Sequence, residues 1–146
     1  MTAQTHPRSV AAPRVTAALA GLFILAVLAQ AAFAGGFAGG HHMWLSWHQN
    51  AGDLLVVLPL ASLIVGLVCR RSQADTTAML ASRVALVVLV VAVAATGHAG
   101  GGWLAFHVPA AVATVGLATR QALIAHRAGR EASASTEHLP KKELAS

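Results

Sequence analysis

Four long apolar stretches, at about 15–37, 44–68, 79–96 and 103–125, alternate with short connections that are basic or rich in glycine. A helix needs roughly 20 apolar residues to cross the hydrocarbon core of a bilayer, so each stretch reads as a transmembrane span. Four spans joined by short connections predict an all-α fold, an integral membrane four-helix bundle. Residues 1–14 form a short N-terminal segment, 15–125 the membrane domain and 126–146 a tail. The tail, rich in Ala, Ser, Glu and Lys, lacks the apolar content for a core and reads as disordered. The first stretch also admits a cleaved signal peptide, because Arg8 and Arg14 precede it and Ala32-Phe33-Ala34 has the small-x-small form of a cleavage site; against this, the run is long for a signal. Pro59 is predicted to kink the second span, while Pro109 falls near the start of the fourth and is accommodated there.

Positive charge orients these spans. Arg8 and Arg14 precede the first, Arg70 and Arg71 separate the second from the third, and Arg127, Arg130, Lys141 and Lys142 follow the fourth. The other two connections contain no Lys or Arg. Short basic loops stay cytoplasmic, so both termini are expected inside and the connections near 35–43 and 97–102 outside. Arg83 and Arg120 fall near the inner ends of their helices, where they are expected to snorkel. His41, His42, His48, His98 and His107 gather at the outer side, leaving His6, His126 and His138 inside. Trp44, Trp47 and Trp103 mark the outer boundary as an interfacial aromatic belt.

Composition narrows the function classes. The chain has 146 residues, 56% hydrophobic and 10% charged, which is the membrane class rather than the soluble one. Its formal charge of +5 does not indicate nucleic acid, because the basic residues sit at span ends and in the tail rather than among aromatics. A single cysteine, Cys69, excludes an internal disulfide, a multi-cysteine metal site and the Cys-x-x-Cys-His attachment of a c-type haem. Tyrosine is absent, which removes any phenolate ligand.

The candidate chemistry lies in an internal repeat. Trp44-Leu45-Ser46-Trp47-His48 returns 59 residues on as Trp103-Leu104-Ala105-Phe106-His107. The bundle then reads as two repeated helical hairpins related by an axis along the membrane normal. The glycine-rich outer connections, residues 35–40 and 97–102, fit this arrangement and also fit plain tight turns. Each histidine lies four residues past a boundary Trp, about 6 Å deeper at about 1.5 Å rise per residue. Matched depth is what two axial ligands of one iron porphyrin require, and bundles build such sites from facing helices. Small residues share each histidine's face, Ala51 and Gly52 after His48 and Ala110 and Ala111 after His107, leaving clearance for a flat ring. The same residues also serve close helix packing in lipid. His48 and His107 are thus the candidate iron ligands, with Gly52 and Ala111 beside the cofactor.

Accessory roles fall to the other polar groups at this end. His41, His42 and His98 are placed in the outer loops, where imidazoles suit copper or zinc but lack carboxylate or cysteine partners. Asp53 is the one acidic residue in the outer half of a span, and Gln30 is expected at the same depth on the first helix and bonded to it. A desolvated carboxyl there could take protons beside a redox centre, or could serve only to satisfy a neighbour.

Two resemblances follow from these residues. The run Leu28-Ala29-Gln30-Ala31-Ala32-Phe33-Ala34-Gly35, then His48-x-x-x-Gly52 and Leu104-x-x-His107-x-Pro109, resembles a bacterial family of small four-span membrane proteins of uncharacterised function. One histidine near the outer end of the second helix and one in the fourth also resemble half of a haem A synthase, a four-helix bundle holding haem between such a pair. That resemblance implies His48 and His107 as axial ligands. The synthase carries a catalytic acid three positions before the second-helix histidine, where this chain has Leu45, and an arginine after it, where this chain has Gln49; haem A synthesis is disfavoured.

The sequence therefore predicts a bacterial plasma-membrane protein that holds haem b between His48 and His107 for electron transfer, redox sensing or haem handling, without an assigned reaction. Its expected surroundings are the lipid bilayer and a redox partner or membrane complex, with no nucleic acid. Two alternatives stay open: a cofactor-free accessory or scaffold subunit, and a small transporter or metal-handling protein that uses the outer histidines.

Overall fold

A computed structural model of the chain describes residues 11–69 and 77–137. Arg8, Arg70, Arg71, Lys141, Lys142, His6 and His138 lie outside the described residues. Five α-helices follow in order: α1 (Ala11–Ala38), α2 (Met43–Leu54), α3 (Val57–Val68), α4 (Thr77–Ala99) and α5 (Leu104–Glu137). A 3-10 turn, Gly101–Trp103, leads into α5. Among the described residues four helical segments are long and apolar enough to cross a membrane, with α2 and α3 together making the second. The result is an all-α four-helix bundle. α1 packs on α5, α3 and α2, and α4 packs on α5 and α3.

The centre is small. Phe23, Leu86, Val90 and Ala118 form the buried cluster, with Ile24, Val27, Leu55, Val56, Leu58 and Leu117 against it. Alanines at 12, 20, 118 and 125 are buried where helices approach, as expected when association in lipid depends on close packing rather than on hydrophobic exclusion. Leu22, Leu25, Val88 and Val112 point outward and are more than half exposed, forming a surface suited to acyl chains rather than water.

The second span is broken where Pro59 predicted a kink. Leu55 and Val56 keep right-handed φ and ψ, but the Leu55 N–H donates to the Gly52 carbonyl at 3.1 Å, a 3-10 step between two α segments. Pro59 falls in the first turn of α3, where a missing N–H costs nothing. Pro109 lies inside α5 and the helix continues past it.

Glycine closes the two connections at one end. α1 terminates in a Schellman motif: the His41 N–H donates to Gly36 O at 3.2 Å, the Gly40 N–H donates to Phe37 O at 2.9 Å, and Gly40 has φ +94°. Gly100 and Gly101, with φ of +61° and +55°, make the reversal between α4 and α5.

Two expectations are corrected at the opposite end. The tail read as disordered from residue 126 is helical to Glu137. Its alanines, arginines and glutamate are good helix formers, and Arg14 of α1 donates to Ser133 at 3.2 Å across the interface. Arg83, expected to snorkel, is 3% exposed and turns into the bundle, donating to Thr16 at 3.3 Å. It passes over Gly66, where a β-carbon would overlap its guanidinium. Gln121, 1% exposed, adds a second buried polar link by donating to the carbonyl and hydroxyl of Ser82 at 2.9 and 3.0 Å.

Candidate functional site

At the glycine-turn end, His48 of α2 and His107 of α5 face each other with ring centres 6.1 Å apart and planes at 66°. Both are half-buried. Each imidazole is held by a backbone carbonyl of the helix preceding its own span: His48 Nδ1 lies 3.1 Å from Gln30 O on α1, and His107 Nδ1 lies 2.8 Å from Val93 O on α4. A carbonyl can only accept, so the Val93 bond calls for the proton of His107 on Nδ1, leaving its Nε2 with a lone pair, and the Gln30 carbonyl favours the same form of His48.

The glycine beside His107 has a steric role. A β-carbon on Gly97 would stand 2.9 Å from His107 Cε1 and 3.0 Å from Nδ1, closer than side chains tolerate. Gly36 plays the corresponding part for an aromatic: a β-carbon there would lie 2.6 Å from Trp44 Cδ2. Phe33 packs edge-on to Trp44 at 5.9 Å and tilted to Trp47 at 6.1 Å, which fixes the start of α2 against α1. The two pentapeptides differ in setting, because Trp44 lies within a helix and Trp103 ends the 3-10 turn, 6.0 Å from Phe106.

Gln30 is 7% exposed and does not meet Asp53 as expected. With its amide nitrogen donating to His48 O at 2.8 Å and its oxygen accepting from the Gly52 N–H at 2.9 Å, it joins the carbonyl and the N–H of one helical rung of α2. The space beside Gly52 is thereby occupied by the Gln30 amide, which would be an ordinary contact, 3.7 Å, for a β-carbon on residue 52. In this orientation the amide nitrogen also lies 2.8 Å from His48 Nδ1. His48 thus has both an acceptor and a donor at Nδ1, and either neutral tautomer finds a partner.

Asp53 instead pairs with His98 at 2.8 Å, both about half exposed. His98 belongs to the last turn of α4 rather than to a loop, and the pair ties α2 to α4. His41 and His42 remain exposed, with His42 6.2 Å from the Phe37 ring. Among the described residues no three metal-ligating side chains converge. Ala111, one turn past His107, is half-buried, and its carbonyl accepts from the Thr114 hydroxyl at 2.7 Å.

Sequence reasoning reached the two histidines and Gln30 but missed Val93 and Gly97. Val93 contributes a main-chain oxygen, which leaves no trace in residue type. Gly97 was visible only as one glycine in a turn-forming run.

No family model matches the chain, and neither the curated proteins nor the solved structures compared with it give a match.

Proposed function

We propose that this integral membrane protein binds one haem b, with His48 and His107 as the axial ligands. The observation that carries the reading is the pair of Nδ1 bonds to Gln30 and Val93 carbonyls. Metal-bound histidines commonly donate their second ring nitrogen to such an acceptor, which selects the tautomer and raises ligand basicity. A ring-centre separation of 6.1 Å would also let both imidazoles hold a single metal, given metal–nitrogen bonds of about 2 Å. The same separation is that of a direct edge-to-face contact between the two rings.

Haem bound here would supply one-electron chemistry at its iron. The chain's own residues orient the imidazoles, leave room for the His107 ring beside Gly97, and hold α2 to α1 through Gln30. The basic ends of the spans favour cytoplasmic termini; in a bacterial plasma membrane that orientation would turn the histidines to the outer face, where a redox partner would reach them.

The reduced-minus-oxidised visible spectrum of the purified protein tests the reading. A b-type band that is lost in both His48→Ala and His107→Ala, and kept in His41→Ala, His42→Ala and His98→Ala, is the expected result. Folded protein that stays colourless after expression with ample haem would falsify it and favour the cofactor-free scaffold.

A further inference from the structure

The opposite end of the bundle carries a different feature. Between the first turns of α1 and the extension of α5 lies an open-sided cavity of about 580 Å³, a cleft rather than an enclosed pocket. Arg14, His126, Arg130 and Ser133 supply its polar lining, and Ala17 and Ala125 are among its apolar lining residues. No carboxylate is among its described lining residues. Arg14 is tied across the cavity by its bond to Ser133, which uses one of the five donors of a guanidinium.

We infer that this cavity binds a phosphate-bearing anion, and specifically the headgroup of an anionic phospholipid. Two guanidinium groups from different helices offer the planar donor forks that match phosphate oxygens. A free phosphate would use only the basic side. The apolar wall of Ala17 and Ala125 continues toward the membrane-spanning part of α1 and α5, where the glycerol and upper acyl chain of a phospholipid would lie. Basic pockets between transmembrane helices take such headgroups for this reason. The site is remote from His48 and His107 and does not depend on haem.

Thermal unfolding of the purified full-length protein in neutral detergent tests the inference, because a ligand that binds only the folded state raises the midpoint. Added phosphatidylglycerol is expected to raise it by several degrees while phosphatidylcholine does not, and Arg14→Gln/Arg130→Gln is expected to lose the shift. Arg120→Gln, exposed on α5 outside the cavity, is expected to keep it. Arg130→Gln alone keeps the test readable if the double variant does not fold, and the corresponding lysine variant should retain part of the shift. Equal loss with Arg120→Gln, or no shift with phosphatidylglycerol, overturns the site. The same shift from inorganic phosphate alone overturns the lipid assignment.

Discussion

Gly97 and His107 share a space that admits only one of them at full size: a β-carbon on residue 97 would press to 2.9 Å of the imidazole. Gly97→Ala is therefore expected to swing His107 off the Val93 carbonyl and to cost about 1–3 kcal/mol of stability, the usual range for overpacking. Gly116→Ala, with nothing within 4 Å of the added carbon, serves as the control. Chemical unfolding measures the cost. If haem is bound, its band should weaken in the first variant and persist in the second.

The two imidazoles should differ in tautomer. His107 has Val93 O as its Nδ1 partner, whereas His48 has both an acceptor and a donor from Gln30. In haem-free protein, nitrogen NMR should find His107 with its proton on Nδ1 and His48 exchanging between forms. Gln30→Leu should leave His48 in the Nδ1–H form alone and lower stability by about 1–2 kcal/mol through the lost bonds to α2. Identical nitrogen shifts for His48 with and without the amide would refute the two-partner description.

Arg83 and Gly66 should be energetically coupled. Gly66→Ala places a methyl group where the buried guanidinium runs, so a loss of about 1–3 kcal/mol is expected in the wild-type background. In an Arg83→Ala background the same change should be close to neutral. A double-mutant cycle reads the coupling directly, and additive losses would show that the two positions do not meet.

Asp53→Asn should matter little to stability. The pair with His98 is about half exposed on both sides, and exposed ion pairs contribute about 0–1 kcal/mol. A loss above that range in unfolding experiments would mean that the carboxylate is held in a more enclosed setting than its exposure indicates.

The spans were legible in the sequence because lipid demands long apolar helices and leaves a hydropathy signal that needs no tertiary knowledge. The interruption of the second span ahead of Pro59 and the glycine turn within residues 35–40 were legible from local residue type. Arg83 was not, because whether a long cation snorkels or turns inward depends on a gap over Gly66, a residue in another helix. Gln30 was placed at the right depth and given the wrong partner. Asp53 lies within reach of His98, while an amide fits the carbonyl and N–H of α2 in a way that a carboxylate cannot. Residues 126–137 were misread because charge and low hydropathy were taken for disorder, although Ala, Arg and Glu also make helix when another helix is there to pack on.

The break at Leu55–Val56 gives the histidine pair unequal mechanical support. His107 rides on a helix of 34 residues anchored along the bundle, whereas His48 rides on a segment of 12 residues with no fully buried side chain of its own. Compliance is therefore one-sided. A change in the separation of the two imidazoles is expected to fall on α2, against the Phe33, Gln30 and His98 contacts that hold it, rather than on α5.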